Sequence, residues 1–121
     1  MWRGPLPRAL IEVRRDADGE LCGHVERRGP RWLALTVFGA PLGDHGRRRD
    51  AVDQVLREGL ASLAERWTLR HGETGEEEVV CIQEASADGV TVARGYYPVP
   101  GVPTLTITAA ELAAGVWVLR R

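Results

Sequence analysis

The side chains best suited to nucleophilic or metal chemistry in this 121-residue sequence are two cysteines and three histidines. Cys22 and His24 are two residues apart, a spacing that places both on one face of a strand. A tetrahedral zinc site needs about four such ligands, and no second Cys/His pair accompanies this one. The pattern leaves a small enzyme with a Cys/His site as an alternative. It predicts no metal and no cofactor, and it favours cysteines that only pack in the core.

A run of arginines offers a different chemistry, the binding of an anion. Arg47, Arg48 and Arg49 follow His45 where a helix is predicted to begin. A helix N-terminus and adjacent guanidinium groups can together hold a phosphate, so a nucleic-acid-binding or regulatory domain is one hypothesis. All 16 basic residues are arginine, and the net charge is −1. Codon bias in a G+C-rich genome therefore explains the run at least as well.

Aromatic residues suggest a third kind of chemistry, contact with another protein. Tyr96 and Tyr97 are adjacent and precede a segment rich in proline, while Trp117 lies between two valines near the end of the sequence. Rigid aromatic side chains supply contact area at low entropic cost. Since no catalytic motif is complete, the leading prediction is a small, non-catalytic binding or accessory domain. It would act through protein–protein contacts or self-association as a homodimer, with Tyr96, Tyr97 and Trp117 as anchors.

Composition limits the remaining possibilities. The 16 basic and 17 acidic residues nearly balance, so nothing attracts the whole molecule to nucleic acid or to a charged membrane. The apolar fraction of 44% and the charged fraction of 27% are ordinary for a globular protein. No apolar run is long enough for a signal peptide or a membrane span. We therefore expect a cytoplasmic protein with free thiols and no membrane partner.

Periodicity and turn residues predict how these side chains are positioned. Residues 1–8 are expected to form an irregular lead-in, and residues 9–121 a single α+β domain. The predicted order is β-β-β-α-β-β-β-α-β, with a mainly antiparallel sheet and one long amphipathic helix packed on one face. Residues 39–46 and 71–78 are predicted to be loops, the second with Glu76–Glu78 as a solvated turn. The predicted strands are residues 9–15, 20–27, 32–38, 79–85, 90–96, 104–107 and 116–119, and the predicted helices are residues 47–67 and a short one after Thr108.

Overall fold

The first half of the chain forms a four-stranded antiparallel sheet in which each strand pairs with the next. The computed structural model describes residues 9–95 and 99–121, so the predicted lead-in at residues 1–8 lies outside the described residues, as do Tyr96 and Tyr97. Asp18 accepts a hydrogen bond from the backbone of Glu20 at 3.0 Å in the first turn, as its Asp-Gly sequence predicts. The strands are β1 (Ile11–Arg14), β2 (Leu21–Arg28), β3 (Arg31–Leu35) and β4 (Pro41–His45).

The second half forms a five-stranded antiparallel sheet. The strands are β5 (Arg66–His71), β6 (Glu77–Ser86), β7 (Gly89–Ala93), β8 (Thr104–Thr108) and β9 (Trp117–Arg120). Their order across the sheet is β8-β7-β6-β5-β9, so β9 pairs with β5 and not with β8, the strand that precedes it in the sequence.

The main helix, α1 (Arg48–Glu58), packs on one face of the first sheet because that face carries small residues. Gly23 and Gly43 both lie where this face contacts the helix. A Cβ atom on Gly23 would overlap the carbonyl of Leu35 and lie 2.9 Å from Cγ1 of Val55. A Cβ atom on Gly43 would overlap the amide group of Gln54. These glycines allow the close approach of the helix to the sheet.

One cluster of buried hydrophobic residues includes side chains from both sheets and from α1. Trp67 and Phe38 meet edge to face within it, with ring centroids 6.1 Å apart. The indole N–H of Trp67 donates to the carbonyl of Ser62 at 2.8 Å, so the buried ring leaves no unpaired donor. The α+β class, the antiparallel pairing and the helix packed on one face are thus confirmed.

The helix is shorter than the periodicity predicts. It ends at Glu58, a 3-10 helix follows at Ala61–Ala64, and Trp67 lies on β5. Gly59, the C-cap residue, lies close against the neighbouring strand, where a Cβ atom would overlap the backbone carbonyl of Cys22. Leu60, Leu63 and Trp67 still pack toward the common core, which explains why the apolar spacing continues past the end of the helix.

The predicted loop at residues 39–46 is also wrong, because Pro41–His45 forms strand β4. The predicted strand at residues 32–38 ends at Leu35, and a tight turn follows. The Thr36 side chain accepts a hydrogen bond from the Ala40 backbone at 3.0 Å, and Gly39 takes a φ of +89°. Proline is tolerated in β4 because this strand lies at a sheet edge.

The short helix after Thr108 is confirmed as α2 (Ala109–Ala113). Thr108 and Glu111 form the capping box that their spacing predicts, with the Thr108 hydroxyl accepting from the Glu111 backbone at 3.0 Å. Gly115 follows the helix with a φ of +77°. Within residues 9–95 and 99–121, no helix is long and apolar enough to cross a membrane.

Candidate functional site

A cavity of about 210 Å³ opens beside Trp117 on the second sheet. We call it the Trp117 pocket. Strands β5, β6 and β9 supply most of its wall, and the turn between β5 and β6 and the segment after β7 supply the rest. The lining residues are Leu69, His71, Glu76, Glu78, Arg94 and Trp117.

Strand pairing brings the two rings of the pocket together. His71 on β5 lies directly opposite Trp117 on β9, so their side chains project from the same face of the sheet. The ring centroids are 4.8 Å apart and the ring planes are nearly perpendicular, at 89°. Leu69, which precedes His71 on the same face, is 1% exposed and closes the inner end of the pocket. The pocket thus has an apolar base and aromatic walls.

The turn after β5 fixes the orientation of His71. Its Nδ1 atom accepts a hydrogen bond from the Thr74 backbone at 3.2 Å, so the neutral ring carries its proton on Nε2. The backbone N–H of His71 donates to the Glu76 carbonyl at 2.8 Å, which closes the turn. This closure places Glu76 at the rim of the pocket.

The charged residues of the pocket do not balance. Arg94 donates two hydrogen bonds to the Glu78 carboxylate, at 2.7 and 3.1 Å. The hydrogen bond and negative charge of Glu78 raise the pKa of the Arg94 guanidinium above its ordinary value. Glu76 is exposed and forms no ion pair with another described residue. One carboxylate therefore remains in excess at the rim.

The structure corrects the prediction for the glutamate run. Glu77 and Glu78 begin strand β6 and are not part of a loop. Alternation along the chain directs Glu76 and Glu78 to the pocket side, while Glu77 forms an ion pair with Arg120 on the other face. Starting the predicted strand three residues earlier, at Glu76, would have revealed acidic side chains at i and i+2 on one face. Arg94 gave no such signal, since its pairing with Glu78 depends on sheet register.

The structure places Trp117 on a terminal strand, as predicted, but its ring is half-buried and packs against the common core. Val116, immediately before this strand, is 45% exposed. The ring of Trp117 also lines a smaller cavity of about 60 Å³, shared with Pro41 and Leu112. Trp117 is therefore a wall residue of two cavities.

The arginine run lies where the sequence predicts, at the start of α1. Arg47 occupies the N-cap position without a capping side-chain hydrogen bond, and all three arginines are exposed. The Arg48 guanidinium lies 5.7 Å from the centroid of the Trp32 ring. Arg47 and Arg49 form no ion pair with the described part of the chain. Two of the three charges are thus exposed and uncompensated.

The neighbours of this run have structural partners. His45 hydrogen-bonds through Nε2 to Oε1 of Gln54 at 2.6 Å, which ties β4 to α1. Asp44, which precedes His45 on β4, pairs with Arg31 at 2.7 Å. The Nε2 atom of His45 is therefore already hydrogen-bonded within the protein.

Cys22 and His24 share one face of β2, as predicted, and both are buried. The thiol of Cys22 donates to the Glu20 carbonyl at 3.5 Å, and Nδ1 of His24 donates to the Thr36 carbonyl at 3.3 Å. Cys81 is also buried, on β6 of the other sheet. Within the described ranges, no group of three or more His, Cys, Asp or Glu side chains could hold a metal ion.

No protein-family model matches this chain, and comparison with curated proteins and with solved structures finds no match. The function is therefore inferred from the chemistry of its own residues.

Proposed function

We propose that this protein is a small binding domain that acts through protein–protein contacts and takes a positively charged side chain of its partner into the Trp117 pocket. The observation that carries the proposal is the excess carboxylate of Glu76 beside two aromatic rings. An aromatic wall attracts a cation through its ring, and a carboxylate attracts it by charge. Arginine and lysine side chains have this chemistry.

The expected affinity for one isolated side chain is low. A cation over an exposed aromatic ring contributes about 0.5–1 kcal/mol, and an exposed ion pair contributes about 0.2–1 kcal/mol. Arg94 already neutralises Glu78, so the incoming cation pairs mainly with Glu76. A single arginine derivative should thus bind weakly, and the rest of the partner's surface would supply most of the affinity.

Nuclear magnetic resonance can detect binding this weak. We would titrate ¹⁵N-labelled protein with N-acetyl-arginine amide and, in parallel, with N-acetyl-citrulline amide, which has nearly the same shape but no charge. The arginine compound should shift the Trp117 indole resonance and the Glu76 amide, and the citrulline compound should not. Equal shifts from both compounds, or none from either, would refute the proposal.

Two glutamine variants separate the pocket from general surface charge. Glu76→Gln removes the uncompensated carboxylate and should weaken arginine binding about two- to fivefold, the range expected for one exposed ion pair. Glu73→Gln is the matched control, because Glu73 lies in the same turn, is exposed and does not line the pocket. The same loss in both variants would indicate nonspecific attraction.

Nucleic-acid binding is a second candidate, favoured by the exposed and uncompensated guanidinium groups of Arg47 and Arg49. Fluorescence anisotropy with labelled single-stranded and duplex DNA and RNA tests it at low and physiological salt. Binding should weaken steeply with salt and be lost in R47A/R49A. The control R14A/R15A removes the same charge from arginines that already pair with Glu12 and Asp18.

We also propose a cytoplasmic location. Cys22 is a buried thiol that takes part in no disulfide, which suits a reducing compartment.

A further inference from the structure

Each sheet has two edge strands, and three of these four edges carry features that hinder pairing with another chain. The edge strand β1 contains Glu12 and Arg14 and has a register irregularity. The edge strand β4 begins with Pro41, contains Asp44 and is also irregular. The edge strand β9 ends at Arg120, and the Arg121 side chain after it is bonded to the Leu42 carbonyl.

Strand β8 has none of these features. Its sequence, Thr-Leu-Thr-Ile-Thr, contains no charge and no proline, and its pairing with β7 runs through five residues without irregularity. Residues 99–110 around it are also uncharged. A regular, uncharged edge is a template for adding another strand.

The hydrogen-bond pattern identifies which backbone groups of β8 point outward. Arg94 donates to the Pro103 carbonyl and Ala109 to the Asp88 carbonyl, each at 2.8 Å. Because such pairs alternate along an antiparallel ladder, Leu105 and Ile107 bond inward to β7. The backbone groups of Thr104, Thr106 and Thr108 therefore point away from the sheet.

The third of these threonines has a partner within the chain. The Thr108 backbone N–H donates to the Glu111 carboxylate at 3.0 Å in the capping box. Thr104 and Thr106 thus present the open donors and acceptors of this edge. They lie symmetrically on either side of Leu105.

We propose that β8 pairs antiparallel with β8 of a second copy of this protein, about a two-fold axis at Leu105. Thr104 then lies opposite Thr106 of the second copy, and each such pair exchanges both N–H···O bonds. The symmetric spacing makes the strand complementary to itself, as a two-fold interface requires. A second copy is the occupant because it presents the same regular edge, with no charge or proline to interrupt the shared ladder.

The side chains suit the same arrangement. Thr104 and Thr106 are exposed on one face, where the Thr106 hydroxyl already meets that of Thr91 at 3.1 Å. Pairing extends this row of threonines, and cross-strand threonine pairs stabilise sheets. Leu105 is half-buried on the other face. In the dimer it would contact Leu105 of the second copy and become more buried.

Sedimentation velocity over a range of concentrations tests the proposal. The wild-type protein should shift from the 13.3 kDa monomer to a dimer as concentration rises. Thr106→Pro removes only an outward N–H, so it should abolish the dimer and leave the pairing with β7 intact. Thr106→Lys introduces a charge at the same position and should also abolish the dimer. It replaces the proline variant in the experiment if that variant does not fold. Circular dichroism and thermal unfolding verify the fold of each variant.

Val79→Lys is the matched control. Val79 is 40% exposed on the same sheet face as Thr106 but lies on an inner strand, so this variant should dimerise like the wild type. Hydrogen exchange should show that the amides of Thr104 and Thr106 gain protection as concentration rises. A wild-type protein that stays monomeric at all concentrations would overturn the proposal. A dimer that persists in both Thr106 variants would also overturn it, because the dimer contact would then lie elsewhere.

This experiment is independent of the proposed function. Strand β8 and the Trp117 pocket lie at opposite ends of the five-stranded sheet, so failure of one leaves the other standing.

Discussion

The carbonyl of Leu42 is held by two donors, and this leads to a prediction about cooperativity. Nε2 of Gln54 on α1 and Nη2 of Arg121 after β9 both donate to this oxygen, each at 3.1 Å. The contact therefore joins the helix, the first sheet and the end of the second. Gln54→Met keeps the shape of the side chain and removes its amide group. Arg121→Ala removes the other donor.

The structure sets the size of each effect. Gln54 is 8% exposed, and its loss breaks the bonds to the Leu42 carbonyl and to His45. Since Arg121 still satisfies the carbonyl, we expect Gln54→Met to lower the free energy of unfolding by about 1–2 kcal/mol. The Arg121 side chain is 27% exposed, so its removal should cost about 1 kcal/mol or less.

The double variant should be worse than the sum of the two. It leaves the Leu42 carbonyl without either donor, and an unsatisfied buried polar group costs about 1–3 kcal/mol. We therefore expect a coupling free energy of about 1 kcal/mol beyond additivity. Glu58→Gln serves as a control, because it removes the ion pair between Arg121 and Glu58 and leaves both donors to the carbonyl in place.

Urea unfolding at neutral pH, followed by circular dichroism, measures all five proteins. The free energies of unfolding give the coupling directly, provided that the dependence on urea concentration is the same for each variant. If the two substitutions add within about 0.5 kcal/mol, the carbonyl does not depend on both donors and the reasoning fails.

Two further predictions concern the packing of α1 and the acid stability of its end. Gly23→Ala should destabilise the protein by about 1–3 kcal/mol in urea unfolding, because its Cβ atom would overlap the Leu35 carbonyl and press on Val55. Gly46→Ala, whose Cβ atom meets only one flexible side chain, should cost less. The hydrogen bond and charge of Arg121 lower the pKa of Glu58 below its ordinary 4.5, so the stability that Glu58 contributes is present above that pH and is lost as the pH falls through the lowered pKa. The urea midpoint should therefore fall more steeply below about pH 4.5 in the wild type than in Glu58→Gln, and parallel curves would contradict this.

Local sequence signals predicted the elements that depend on local chemistry. The turn at Asp18 and the capping box of Thr108 and Glu111 form as expected, because the residues involved bond to backbone only a few positions away. The α+β class followed from the change of apolar period between strands and helix.

Features that depend on distant contacts were not predictable in the same way. At the end of α1, Gly59 lies against the carbonyl of Cys22, and these residues are far apart in sequence. The Trp117 pocket likewise requires β9 to pair with β5 and Arg94 to reach Glu78. The sequence identified Trp117 as a candidate, but its neighbours in the pocket follow only from sheet register.

The position of β9 also has a consequence for the order of folding. The four-stranded sheet and strands β5 to β8 form from neighbouring segments, so their hairpins close over short loops. Leu119 on β9 pairs with Leu69 on β5 across the longest loop of any strand pair in the two sheets, and a longer loop costs more entropy to close. We expect β9 to join its sheet late in folding. Trp117 and His71 meet only in that step, so the pocket is absent from any earlier intermediate.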